Sequence, residues 1–183
     1  MKITALNKKL SVKAQLIATV AAIVCAVALP QVLHLAGQYL SLGTSLGEIF
    51  LPMHLPIMLV GFIAGPAAGA VAGVAAPVIS SLLTGMPVAL MLPFILIEVF
   101  TYGLISGVLS NTKLNISGKV ALTQLAGRAA RILATIIAVS AFSYDGVTVI
   151  GAVRVMAVGV VGLAVQWAIL PAVIKTVEKK NEN

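Results

Sequence analysis

Residues 14–35 read AQLIATVAAIVCAVALPQVLHL, an apolar run without one Asp, Glu, Lys or Arg. As a helix rising about 1.5 Å per residue it reaches about 33 Å, enough for the roughly 30 Å hydrocarbon core of a bilayer. Five further apolar runs follow, at 48–64, 67–83, 88–109, 120–142 and 147–174. The punctuation between them is of the kind that ends helices: Gly65 with Pro66, then Thr84-Gly85-Met86-Pro87, the polar stretch 110–118, and Ser143-Tyr144-Asp145-Gly146. The expectation is an all-α integral membrane bundle of six transmembrane helices, occupying 1–183 as a single domain.

Composition agrees. Of 183 residues, 60% are hydrophobic and only 9% charged, and the mean hydropathy of +1.12 lies outside the range of soluble domains. The net charge of +7 does not indicate nucleic acid, because the cations form no patch with interleaved aromatics. Lys2, Lys8, Lys9 and Lys13 precede the first run, Lys113 and Lys119 flank the loop between the fourth and fifth, and Lys175, Lys179 and Lys180 follow the last. Lysine and arginine accumulate on the cytoplasmic side, so this pattern puts both termini in the cytoplasm. The basic start is expected to lead into a retained first helix rather than a cleaved signal peptide. Cys25 is the only cysteine, which rules out an internal disulfide or a cysteine metal cluster.

Spacing within the runs predicts how helices meet. Ala14, Ala18, Ala22 and Ala26 recur every fourth residue and share one face of helix one. Gly65, Gly69 and Gly73 repeat the pattern in helix three, and Gly103 with Gly107 in helix four. Stripes of small residues mark close helix contact in lipid. The glycine pairs are assigned to packing inside the bundle and the alanine stripe to an external docking partner.

Charged side chains inside spans are the candidates for function, since each costs at least about 2.5 kcal/mol at the bilayer centre. Glu98 and Arg131 both lie about 18 Å from the same end of their helices, which predicts a structural ion pair, with Arg128 one turn away as the competing partner. Arg154 and His54 share a shallower level, about 10 Å deep. With Glu48, Ser80, Ser81, Thr84 and Met86 they make a zone of few polar groups in apolar surroundings, the character of a small-molecule site. Ser80, Ser81 and Thr84 have a second role open to them, as caps of carbonyls at a helix end. Met53, Met58, Met86 and Met91 gather near the same level, as core filling or as adaptable ligand contacts. His54 has no second histidine spaced for a metal or haem, so no metal and no cofactor are expected. HExxH, G-x-S-x-G and phosphate-loop motifs are all missing from the sequence, and the chain is read as a binding protein, not an enzyme.

Four segments, GEIFLPMHLP (47–56), GFIAGP (61–66), SSLLTGMP (80–87) and EVFTYGLISG (98–107), resemble the substrate-binding S components of energy-coupling factor (ECF) vitamin transporters. The resemblance spans about residues 14–175. It implies a six-helix bundle with both termini inside, binding a vitamin or precursor near the outer face under the first outer loop. It also implies a transmembrane T component and two cytoplasmic ATPases as partners, with the alanine stripe of helix one as the docking motif. Delivery would follow from toppling of the whole subunit in the bilayer. The site carried over would hold the loop before Glu48, His54, residues 80–86 and Arg154, with Arg154 facing a carboxylate or phosphate of the solute. Two other classes compete: a structural scaffold without ligand, and a standalone secondary carrier, for which no clear inverted repeat is present.

Overall fold

The computed structural model describes residues 10–182, with side chains through residue 177. All regular structure among the described residues is helical: α1 (Val12–Tyr39), α2 (Ser45–Phe50), α3 (His54–Ala64), α4 (Pro66–Thr84), α5 (Leu92–Ser110), α6 (Ile116–Phe142), α7 (Val149–Val158) and α8 (Val160–Glu182). Six segments are long and apolar enough to cross a membrane, with α2 and α3 acting as one of them and α7 falling short. The chain is therefore a multi-pass membrane protein by the length and composition of its helices.

Two of the expected spans are broken. The run 48–64 is interrupted at Leu51, which takes a left-handed conformation (φ 49°), and at Pro52, which has no N–H to continue the ladder. The run 147–174 divides at Gly159, which ends α7 and passes directly into α8. Helix starts use local hydroxyl and amide caps: Ser11 accepts from the Ala14 N–H, Asn115 from Gly118 and Thr148 from Gly151. At the α4 terminus Gly85 takes φ 72°, the left-handed cap glycine adopts without a Cβ penalty. Where α6 begins, Lys119 Nζ donates to the Ser110 carbonyl at 2.6 Å, neutralising an end of α5.

α4 and α5 make the closest pair. A Cβ on Gly69 would run into the Gly103 carbonyl and one on Gly103 into Gly69, while Gly73 faces Phe100 and Gly107 faces Pro66. The glycine stripes are thus internal. Lipid tails are as apolar as leucine, so this close backbone approach, gaining dispersion and weak polar contacts, is what holds the pair.

The alanine stripe corrects the sequence expectation. Ala22 and Ala26 are buried at 7% and 0% exposure in a cluster with Met53, Ile57, Val60 and Ala72, and partly buried Ala18 packs against it. Ala14 is half-buried. Small residues at four-residue spacing do demand a close neighbour, but that neighbour is the chain's own α3 and α4. The lipid-facing side of α1 is instead Leu16, Ile17, Val20 and Val24, all exposed. Ala26→Leu is accordingly expected to destabilise the isolated protein by about 1–3 kcal/mol through overpacking. Thermal unfolding in detergent measures it; unchanged stability would return the stripe to an external role.

Candidate functional site

α2 and α3 meet at a node on the Leu51 carbonyl. Because Leu51 is left-handed, its oxygen turns away from the helical ladder and accepts from the His54 N–H at 3.1 Å, the His54 ring at 3.1 Å and Gln166 Nε2 at 3.2 Å. A carbonyl can only accept, so Nδ1 of His54 carries the proton. Gln166 in turn takes a hydrogen bond from Gln124 Nε2 at 3.2 Å. The chain from α6 through α8 to Leu51 fixes the break that presents His54.

Below this node lies a charged hub. Glu98 is fully buried; its Oε2 accepts from Arg131 Nη1 at 2.7 Å, and its Oε1 accepts from the Tyr102 hydroxyl at 3.1 Å. The Nε of Arg128 approaches Oε1 to 3.3 Å as an ion pair without hydrogen-bond alignment. His54 Nε2 stands 3.9 Å from the same oxygen, and the His54 and Tyr102 rings meet edge to face with centroids 5.0 Å apart. The expected Glu98–Arg131 pair is present. Both arginines share the carboxylate, so Arg128 is a second partner and not an alternative one.

A cavity of about 160 Å³ opens above the hub at one end of the bundle. Pro30, Gln31 and His34 of α1 line one side, Glu48 of α2 and the stretch Leu51 to Met53 another, with His54, Ser80, Met86, Pro87, Ile95, Arg131 and Val155 closing the rest. His34 can cover α2 because Gly47 has no side chain: a Cβ there would sit 2.6 Å from the imidazole Cε1. A second cavity of about 210 Å³ lies between α5, α6 and α7, lined among others by Met91, Phe94, Thr135 and Ala152. Arg131 and Val155 belong to both walls. The chain matches no protein-family model, no curated protein and no solved structure. The arrangement of these side chains therefore carries the functional argument.

Of the residues singled out in sequence, Glu48, His54, Ser80 and Met86 come together around the first cavity. Met53 joins them there, Met91 lines the second cavity and Met58 is core. The hydroxyls act on the chain itself. Ser80 donates to the Met86 carbonyl at 2.7 Å, Ser81 to Pro87 at 2.8 Å and Thr84 to Ser80 at 2.8 Å, while Gln31 Nε2 reaches Thr84 Oγ1 at 3.3 Å. They shape the 84–87 turn that forms a wall, and of the three only Ser80 faces the cavity.

Arg154 stands apart from both cavities. It is exposed and lines neither cavity, whereas Val155 lines both. One residue along a helix is a turn of about 100°, so a correct depth puts a side chain at the right level on the wrong face. Arg154→Ala is expected to leave the affinity of any solute held in these cavities within about twofold. Calorimetry on protein in nanodiscs measures this, and a loss of about tenfold or more would bring Arg154 back into the site. His34 and Gln31 also line the first cavity, and neither stands out in the sequence because the small-residue spacing of α1 points to packing alone. Tyr102 does not stand out either, although its place one turn after Glu98 is visible.

Proposed function

We propose that this chain is the membrane-embedded substrate-binding subunit of an ECF-type importer in a prokaryotic plasma membrane. It captures a vitamin or vitamin-like small molecule from outside and delivers it with a transmembrane T component and two cytoplasmic ATPases. The observation that carries the reading is the cavity itself: mostly apolar walls, a handful of convergent polar groups, and a position at one end of the helices. The turns 40–44, 85–91 and 143–148 gather at that end, and none contains lysine or arginine. Lys113 and Lys119 belong to the connection on the opposite side. The positive-inside rule then supports an outward-facing cavity with cytoplasmic termini. The four segments that resemble S components include Glu48, His54, Ser80, Met86 and Glu98, so the likeness is concentrated on the cavity and its hub.

Mass spectrometry of solute retained by the purified protein tests binding, and affinity capture from the native membrane tests the partners. Retained solute together with a T component and an ATPase pair is the expected result. Capture of neither would favour a scaffold, and solute uptake into proteoliposomes by this chain alone would favour a secondary carrier; either outcome removes the proposal.

A further inference from the structure

We infer that the solute of this cavity carries an anionic group, a carboxylate or phosphate, and that Arg131 is its charge partner. This deepens the solute-binding proposal and rests on it. The hub contains two guanidinium groups and one carboxylate, all out of water: Arg128, Arg131 and Glu98 have side-chain exposures of 11%, 7% and 1%. Among the described residues no other carboxylate lies within ion-pair distance of either arginine. One positive charge is therefore left over at membrane depth. A one-to-one pair would serve a purely structural role, and the second cation would otherwise be an uncompensated burden on folding.

Geometry separates the two arginines. Arg128 runs toward the α7–α8 junction, where a Cβ on Gly159 would stand 2.9 Å from its Nη2, and it lines neither cavity. Arg131 forms part of the wall of both. Both arginines keep buried donors without a hydrogen-bond partner, Nε and Nη2 on Arg128 and Nε on Arg131, but only Arg131 stands on a cavity wall. A guanidinium offers donors in a planar fork that suits a carboxylate or phosphate oxygen pair. Glu48 does not supply the missing charge, because it is exposed at the rim with its Oε1 accepting from Thr44 at 3.2 Å. The cavity's apolar lining and a volume near 160 Å³ match a cavity of roughly 150 Å³ that holds one benzene ring. The anion thus belongs to a compact molecule with an apolar body.

Benzoate and its neutral isostere benzamide are the probes, titrated by calorimetry into the full chain in phosphatidylcholine nanodiscs. Benzoate should bind about tenfold or more tighter than benzamide, since only it can make the charge-assisted pair. Arg131→Gln should abolish that preference while leaving Glu98 paired one-to-one with Arg128, and Arg131→Lys should retain part of it; circular dichroism and gel filtration confirm that both variants fold. Equal binding of the two probes overturns the inference, though a neutral-solute site would survive. Absence of benzoate binding up to about 10 mM overturns it as well, being weaker than even a minimal charge-assisted contact. Displacement of benzoate by added phosphatidylglycerol would assign the anion site to a lipid headgroup, and would overturn the claim that the anion belongs to a soluble solute.

Discussion

Glu98→Ala is expected to lower the stability of the bundle by about 3–5 kcal/mol, the cost of removing one partner from a buried ion pair. Glu98 is the acceptor for Arg131 and Tyr102 and the counter-charge for Arg128. Its removal leaves two buried guanidinium groups and a phenol without their shared acceptor. The loss is large beside the roughly 5–15 kcal/mol by which folded domains exceed their unfolded states. Arg131→Gln is milder, since it reduces the hub to one cation and one anion. Replacing Glu98, Arg128 and Arg131 together by leucine or methionine should recover much of the loss, because removing a whole buried ionic set with little change in volume is often neutral or stabilising. Thermal unfolding followed by the fluorescence of Trp167, on α8 away from the hub, measures the series. A Glu98→Ala protein as stable as the parent would mean that the arginines find water or other partners, and would weaken both the structural and the anion argument.

The same hub shows what a sequence discloses. Hydropathy exposes the six spans because lipid imposes an uninterrupted apolar length on each. Depth pairs Glu98 with Arg131 because both sit at one level in neighbouring helices. Depth gives Arg154 a level but not a place on a cavity wall, because level and face are separate coordinates, and only packing against the rest of the bundle sets the face. Spacing fails for Ala14 to Ala26 in a related way: it identifies a stripe that needs a close neighbour without identifying the neighbour. The break at Leu51 is the least legible feature. Pro52 hints at it, but a leucine at positive φ has no signature in composition, and it is this residue whose carbonyl orients His54 and anchors Gln166. Gly159 is equally silent, since glycine is common within membrane helices without dividing them.

Gly103→Val is expected to cost on the order of 3 kcal/mol or to prevent recovery of folded protein, at the upper end of overpacking penalties. The atoms in the way are backbone: the carbonyl, carbon and Cα of Gly69. A flexible side chain could swing aside, but here α4 and α5 must move apart along their length. That separation would reach Gly61, whose added Cβ would meet the Gly103 carbonyl and Ser106 Oγ, so α3 is drawn in as well. Displacing α3 and α5 together shifts His54 and Glu98, the two residues that join cavity to hub, so solute binding should fall with stability. Val74→Leu, on the exposed side of α4, adds bulk toward lipid and should change stability by no more than about 0.5 kcal/mol. Thermal unfolding and solute binding measured on both variants provide the contrast. A stable Gly103→Val protein would require the helices to slide until the new side chain finds a gap, and the position of the site would then not depend on the glycine contact.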